Sequence, residues 1–151
     1  MAAVYDHPRY YALAFGFRDL RHEVRVMEEA IERFSRVTVT TVLETGCGHA
    51  PHLEELLRRG YRYVGLDLSE AMLAEVRRRG EEAGGGVEAV RGDMADFALT
   101  RRADFAFNAL GSLYVAPRAR LAHHLAAMAA ALAPGALYLL DWVLWTWEGP
   151  A

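Results

Sequence analysis

The sequence of 151 residues has no lysine and no glutamine, and it has a single cysteine and a single asparagine, Cys47 and Asn108. Arginine therefore supplies all 17 basic residues, and the net charge of −3 leaves no broad basic field, which argues against nonspecific nucleic-acid binding. A lone cysteine permits no internal disulfide and fits a reducing compartment. No apolar run reaches the ~18 residues that a membrane helix needs, and no signal-like leader opens the sequence. We therefore expect a cytoplasmic protein that partners neither nucleic acid nor membrane.

The length and the order of apolar segments indicate one domain of α/β class. A chain of this length can bury a sizeable core, and neither a repeat nor a linker divides it. Short apolar runs alternate with helical patterns, which predicts βαβ units with right-handed crossovers. We expect a doubly wound, mostly parallel sheet with helices on both faces. A helical lead-in over residues 1–36 would precede a Rossmann-like core over residues 37–142.

The element boundaries follow from apolar spacing and from capping residues. Apolar residues at helical spacing predict a helix from Leu20 to Phe34, with Asp19 as its N-cap. Ser69 is the expected cap of a helix from Glu70 to Arg79 that stops at Gly80. Two further helices are predicted over 52–59 and 117–132, and strands are predicted over 37–43, 61–66, 87–90, 103–107 and 136–142.

The most informative segment reads “VLETGCGHA”, in which a β-branched strand ends in Glu44 and a Gly-x-Gly turn. Gly46 and Gly48 have no Cβ, so their backbone can reverse tightly and approach a polar ligand. A second strand ends in Asp67, at the spacing of about 20 residues at which an acid takes a ribose diol. A third apolar run is followed by Asp93. Three strand ends that each carry an acid are typical of a nucleoside-binding site.

With these motifs the sequence resembles the class I S-adenosylmethionine (SAM)-dependent methyltransferases, from Tyr5 to about Trp142. The motifs follow the order usual in that family: “VLETGCG”, “YVGLDLSEAML”, “VEAVRGDMADF”, “ADFAFNALGSLYV” and “LAPGALYLLDW”. The resemblance implies a Rossmann-like fold, SAM as the cofactor and a methyl-transferring enzyme. It does not name the acceptor. We expect a small molecule, because the Asn/Asp-Pro-Pro-aromatic motif of nucleic-acid amino methyltransferases is absent.

The resemblance places the methionine part of SAM at the first motif. Gly46 and Gly48 shape the pocket, with Gly46 against the ligand, while Glu44 holds either the turn or the ligand ammonium. Cys47 belongs to the same turn, where we expect it to pack rather than to act as a nucleophile. Asn108 follows strand four, near the reacting methyl, although a strand-end hydrogen bond would explain it equally well. No catalytic base can be assigned.

The resemblance places the nucleoside at the second and third motifs. Asp67 would accept from both ribose hydroxyls, the alternative being a carboxylate at a helix N-terminus. Leu68 follows it in the site, and Met72 would pack on the adenine face or in the core. Asp93 would accept from the adenine amino group unless it belongs only to a surface turn, and Met94 would offer its amide and an apolar surface.

We expect the histidine and arginine clusters to have structural rather than functional roles. The spacing of His49 and His52 does not suit a helical metal pair, and we expect no metal site. His123 and His124 are expected on a helix surface. The run 77–79 is expected to carry solvated helix-end charges.

The C-terminal part of the sequence departs from the family pattern. The family fold normally continues with a helix and two strands, whereas this sequence stops soon after Trp142, which predicts truncation or an edge covered by a partner. Trp142, Trp145 and Trp147 favour self-association through that edge. Two alternatives stay open: a SAM-binding domain without turnover, and an NAD-dependent oxidoreductase, which the lack of a third glycine after Gly48 disfavours.

Overall fold

A computed structural model describes Tyr10, Leu13 and residues 16–113 and 118–141. Its elements are α1 (Leu20–Phe34), β1 (Thr41–Thr45), α2 (Leu53–Arg58), β2 (Arg62–Asp67), α3 (Glu70–Glu82), β3 (Val87–Arg91), β4 (Ala103–Asn108), α4 (Arg118–Ala131) and β5 (Leu132–Leu140). Among these helices, none combines the length and the apolarity needed to cross a membrane.

The five strands form one sheet in the order β3-β2-β1-β4-β5, and all four pairings are parallel. The chain order reverses at β1, which lies between β2 and β4. Ligands of open α/β sheets bind beside the carboxyl ends of the strands at such a reversal. The predicted doubly wound parallel sheet is confirmed, and its switch point lies next to Glu44, which pairs with Gly65 on one side and Phe107 on the other.

Helices cover both faces of the sheet, as the sequence predicts. On one face, Val42 and Phe107 pack with buried residues of α1, α2 and α3. On the other face, Leu43 and Ala106 pack with Met128 of α4. Alternate residues of β1 therefore belong to different layers. We call these the α1–α3 layer and the α4 layer.

Two predicted caps are confirmed. The Asp19 carboxylate accepts from the His22 amide at 3.0 Å, and α1 has the predicted bounds. The Ser69 hydroxyl accepts from the Met72 amide at 3.4 Å, at the start of α3. Each bond satisfies one of the amides that a helix N-terminus leaves without an internal partner.

Gly80 does not end α3, which corrects the sequence-based boundary. The helix continues to Glu82, and Gly80 is buried within it. A Cβ at this position would lie 2.7 Å from the Val87 Cβ, so glycine allows α3 to lie directly on β3. Its role is close packing rather than helix termination.

The predicted boundaries of the first and last strands also need correction. The chain before β1 is held by Asp104, whose Oδ2 accepts from the amides of Thr40 and Thr41 at 3.0 Å, so pairing starts later than expected. At the other end, β5 starts at Leu132, directly after α4. A shift in the β4–β5 register accommodates Pro134, which cannot donate a backbone hydrogen bond. The three C-terminal tryptophans and Pro117 lie outside the described residues.

Candidate functional site

The glycine turn brings the loops after three strands into contact. Gly46 has φ +66° and Gly48 has φ +51°, conformations that favour glycine. A Cβ on Gly46 would lie 3.1 Å from the Ser112 Cβ and 3.3 Å from the Met94 Cε. Its third neighbour is the Asn108 side chain, whose Nδ2 would be 3.7 Å away. Gly46 is therefore the point at which the loops after β1, β3 and β4 meet.

Asp67 links the glycine turn to the start of α3. Its Oδ2 accepts from the Gly48 amide and its Oδ1 accepts from the Ser69 amide, both at 2.8 Å. A carboxylate has about four acceptor positions, so each oxygen keeps capacity for another donor. Leu68 follows and is 65% exposed, an apolar side chain at the carboxyl edge of the sheet. The arrangement suits a diol beside an aromatic ring.

Glu44 is buried below the turn, where its contacts are internal. The Tyr63 hydroxyl donates to Oε2 at 2.6 Å, and the His52 Nδ1 lies 3.6 Å from Oε1. Burial first and the Glu44 charge second raise the pKa of Tyr63 well above its usual value, so the phenol keeps its proton. The amides of Gly46 and Cys47 donate to the Leu66 carbonyl oxygen at 2.8 and 3.1 Å, so these contacts of Glu44 lie with Tyr63 and His52 rather than with the turn amides.

A buried polar chain, which we call the His52 network, continues from Glu44 to α1. The His52 Nε2 lies 2.9 Å from the Glu23 Oε2, and Glu23 also binds Arg18 through the arginine Nε at 2.9 Å. Burial alone would lower the pKa of His52, but the carboxylates of Glu44 and Glu23 outweigh it and raise the pKa. Within the described part of the chain, no cluster of three or more His, Cys, Asp or Glu residues could hold a metal ion.

Cys47 packs against β2. Gly65 leaves room for it, since a Cβ there would lie 2.9 Å from the Cys47 Sγ. Burial first and the charges of Glu44 and Asp67 next raise the pKa of Cys47 well above its usual value. The thiol therefore stays protonated, which fits the predicted packing role and not a nucleophile.

The turn after β3 is held by α4. The Asp93 Oδ1 accepts from the Ala95 amide at 2.9 Å, and the Arg120 Nη2 donates to both carboxylate oxygens at 2.8 and 2.6 Å. The Ala95 amide first and Arg120 second lower the pKa of Asp93. Arg120 could not be identified from the sequence, because it lies 27 residues after Asp93.

His124 is buried, which corrects its predicted position on a helix surface. Its Nδ1 lies 2.8 Å from the Met94 carbonyl oxygen and its Nε2 lies 2.8 Å from the Tyr138 hydroxyl. Burial raises the pKa of Tyr138 to about 12, although the nearby Thr45 side chain lowers it. The hydrogen bonds of His124 lie in the α4 layer.

Asn108 fixes the ends of β1 and β4 to one another. Its Nδ2 donates to the Thr45 carbonyl at 2.7 Å and to the Thr45 Oγ1 at 3.1 Å. The side-chain oxygen Oδ1 is buried, and it has no hydrogen-bond partner among the described residues. The predicted strand-end hydrogen bond is present, and the Oδ1 acceptor is left over at the end of β4.

Met72 is fully buried and belongs to the core. The core alternative given for this residue from the sequence therefore fits the structure, which shows no accessible Met72 surface for an adenine ring. Its backbone amide donates to the hydroxyl of Ser69, two residues after Asp67. Met72 therefore supports the site from within the core.

Arg79 corrects the interpretation of the arginine run as solvated charge. Its guanidinium donates to the carbonyl oxygens of His49 and, at 3.0 Å, Ala50, and it pairs with Glu54. Ala50 has φ +52°, unusual for a residue with a Cβ. Arg79 thus anchors the chain that leaves the glycine turn.

The loop after β4 also contains strained backbone. Leu110 has φ +57° and its amide donates to the Asp141 Oδ2 at 3.2 Å. Such conformations cost about 1–3 kcal/mol each and cluster at functional sites. This loop contacts the glycine turn through Ser112.

Sequence comparison adds independent observations. The family model described as “Methyltransferase domain” matches residues 42–135. Trans-aconitate 2-methyltransferase of Acidovorax sp. (strain JS42) is 36% identical over 71% of this chain and 40% of its own length. The dTDP-3-amino-3,4,6-trideoxy-alpha-D-glucopyranose N,N-dimethyltransferase of Streptomyces venezuelae is 28% identical over 90% of this chain and 56% of its own length. This chain therefore spans about half the length of these relatives.

Comparison of folds gives the same class. Streptomyces venezuelae DesVI superposes with a TM-score of 0.80 and 24% identity, over 95% of this chain and 60% of that one. The SAM-bound amino pentose methyltransferase CalS10 from Micromonospora echinaspora gives 0.76 with 27% identity, over 91% of this chain and 57% of that one. With its parallel sheet, its glycine turn and the family match over residues 42–135, the chain belongs to the methyltransferase domain family.

Proposed function

We propose that this chain binds SAM at the carboxyl ends of β1, β2 and β3 and transfers the methyl group of SAM to a small-molecule acceptor. The observation that carries the proposal is the placement of Asp67, whose carboxylate is fixed by the Gly48 amide at 2.8 Å. An acid after the second strand, held against a glycine turn, is the arrangement that takes a ribose diol. The family membership of the chain supports the same function.

The residues around the glycine turn suit the amino-acid end of the cofactor. The Asn108 Oδ1 is a buried acceptor without a partner among the described residues, and leaving such a group unpaired costs about 1–3 kcal/mol. Asn108 follows β4 near the glycine turn, and its Nδ2 would be 3.7 Å from a Cβ on Gly46. An ammonium group would satisfy the Oδ1 atom. We therefore assign Asn108, Gly46 and Gly48 to the methionine end, with Glu44 and Cys47 as the support beneath them.

The residues after β2 and β3 suit the nucleoside. Asp67 would receive the ribose hydroxyls, and the exposed Leu68 would cover one face of the base. Asp93 keeps acceptor capacity beyond its bonds to Ala95 and Arg120, since each carboxylate oxygen has two lone pairs. Met94 reaches from this turn to Gly46 and so joins the two ends of the site.

SAM, when bound, supplies its own electrophile, a sulfonium methyl group. The protein then needs mainly to bind the cofactor, to exclude water and to hold the acceptor in line, and such positioning can contribute several kcal/mol. The strained loop at Leu110 and Ser112 lies beside the turn and is the described segment best placed to contact an acceptor. No described residue is assigned as a general base.

The relatives suggest acceptor classes for the first assays. Their names identify trans-aconitate and a dTDP-linked amino sugar as acceptors. Both are small molecules, as the sequence predicted for this chain. We propose a small acid or an amino sugar, and we further propose that the described elements form one domain in a cytoplasmic protein.

The test is calorimetric titration of the protein with S-adenosylhomocysteine, SAM and NAD, followed by transfer of labelled methyl from SAM to trans-aconitate and to an amino-sugar nucleotide. We expect binding of the first two ligands, no binding of NAD, and labelled product with one acceptor class. Binding without transfer, also in a longer form of the protein, would favour the alternative of a SAM-binding domain without turnover. Binding of NAD alone would overturn the proposal.

A further inference from the structure

His124 is buried on the α4 face of the sheet and is hydrogen-bonded through both ring nitrogens, to the Met94 carbonyl oxygen and to the Tyr138 hydroxyl. Only one placement of the protons satisfies both bonds in a neutral ring. The Met94 carbonyl can only accept, so the His124 Nδ1 must carry the proton and donate to it. In a neutral imidazole the Nε2 is then an acceptor, and the Tyr138 hydroxyl must donate to it.

The orientation of Asn108 is fixed without His124. The Thr45 carbonyl can only accept, so the Asn108 Nδ2 must donate to it, at 2.7 Å, and it also donates to the Thr45 Oγ1 at 3.1 Å. The bonds of His124 therefore act on the turn after β3 and not on Asn108.

His124 holds one peptide unit of the turn after β3. The carbonyl of Met94 is held by His124, and the Ala95 amide of the same peptide unit donates to the Asp93 carboxylate. Arg120, one helical turn before His124, holds that carboxylate. Helix α4 therefore holds this peptide plane at the Met94 carbonyl, through His124, and at the Ala95 amide, through Arg120 and Asp93. These bonds set the direction of the Met94 side chain, whose Cε would lie 3.3 Å from a Cβ on Gly46.

Resting on the function proposed above, we propose that His124 is a positioning residue for the nucleoside end of the cofactor site, on which it acts through the Met94 peptide. Its neutral, buried imidazole sets the orientation of that peptide and, with it, the direction of the Met94 side chain. The burial of His124, which lowers its pKa, is consistent with that neutral form.

Two conservative substitutions separate the bonds of His124. In His124→Asn the side-chain amide lies near the position of the ring Nδ1 and can still donate to the Met94 carbonyl. In His124→Gln the amide lies near the position of Nε2 and can accept from Tyr138, but the bond to Met94 is lost. His124→Leu removes both bonds, and His123→Leu, at the exposed neighbour on α4, is the control.

The experiment measures S-adenosylhomocysteine affinity by calorimetry and, without ligand, amide hydrogen exchange of residues 92–97. We expect affinity to fall about fivefold or more in His124→Gln and His124→Leu, with faster exchange of that segment. We expect His124→Asn to stay within about threefold of the wild type in affinity, with near-wild-type exchange, as His123→Leu should. A residue that merely fills space would not produce this order.

Equal affinity of the wild type, His124→Gln and His124→Leu would overturn the inference, as would a larger loss in His124→Asn than in His124→Gln. If His124→Leu does not fold, the comparison of His124→Asn with His124→Gln still tests the inference. If the wild type binds no S-adenosylhomocysteine, the proposed function fails. In that case, amide hydrogen exchange of the unliganded protein still shows whether His124 holds the turn after β3. Unchanged exchange in His124→Gln would refute this role of His124.

Discussion

The Gly48 amide donates to the Asp67 carboxylate over 2.8 Å, joining the loop after β1 to the end of β2. The Ser69 amide holds the other oxygen of the same carboxylate. The acid expected to take the ribose is thus fixed in place by backbone donors. A group that is already ordered loses little entropy when a ligand binds, which favours affinity.

Replacing Asp67 with Ala should lower affinity for S-adenosylhomocysteine at least tenfold. Two charged hydrogen bonds to the ribose would be lost, each worth about 1.5–3 kcal/mol. Calorimetry measures the change, and circular dichroism checks the fold. Asp104→Ala is the matched control, because Asp104 binds Thr40 and Thr41 at the start of β1. Unchanged affinity in a folded Asp67→Ala protein would reject the ribose assignment.

Replacing Gly46 with Val should abolish measurable cofactor binding while leaving most of the helical signal. The branched side chain would meet Ser112 and Met94, and the backbone at φ +66° would add strain of about 1–3 kcal/mol. Gly60→Val is the control, since Gly60 has φ +90° and no neighbour within 4 Å of its Cβ position. We expect it to lose stability and keep affinity. Wild-type affinity in Gly46→Val would refute the close approach at this residue.

Replacing Gly65 with Ala should destabilise the protein by about 1–3 kcal/mol, because its Cβ would lie 2.9 Å from the Cys47 Sγ. Cys47→Ala removes that sulfur. The double variant should therefore cost less than the sum of the two single variants in urea denaturation, as expected for residues in contact. Additive costs would show that Cys47 does not occupy the space that Gly65 leaves.

The stability that His52 contributes should decrease as the pH rises. Its pKa is raised in the folded state by Glu44 and Glu23, so this contribution is complete below the unfolded pKa of about 6.5 and is lost as the pH passes through the raised folded value. The difference in unfolding free energy between the wild type and His52→Gln should shrink between pH 5.5 and 9. In a Glu23→Gln background the pH dependence should be weaker. A difference that grows with pH would contradict a protonated His52.

Self-association through the β5 edge stays a prediction. Strand β5 is the outermost strand on its side of the described sheet, and an unpaired strand edge can pair with a second copy. Light scattering over a concentration series should show a mass above that of the monomer. A monomer at all concentrations would reject it.

Much of the fold follows from local patterns in the sequence. The bounds of α1 and the caps Asp19 and Ser69 depend on residues three or four positions apart, so spacing alone identifies them. The parallel sheet follows from the alternation of strands and helices. Asp67 could be identified as a site residue because its strand and the glycine turn have a fixed order in the chain.

The supporting residues of the site could not be identified in this way. His124 looks like a surface histidine on its helix, and its burial depends on Met94, 30 residues earlier, and on Tyr138 in the next strand. Arg79 looks solvated until α3 is placed against the turn after Gly48. Gly80 looks like a helix stop because only the approach of β3 gives it a packing role.

The last two residues of β1 point to opposite layers, Glu44 toward the His52 network and Thr45 toward Asn108 in the α4 layer. A slip of one position during folding would exchange them, placing a carboxylate in the α4 layer, away from His52, and a hydroxyl in the His52 network. Charge burial of that kind costs several kcal/mol. Apolar residues such as Val42 and Leu43 would stay buried in a misregistered β1, but its polar residues would be destabilising there. The polar residues therefore favour a single alignment of the strand.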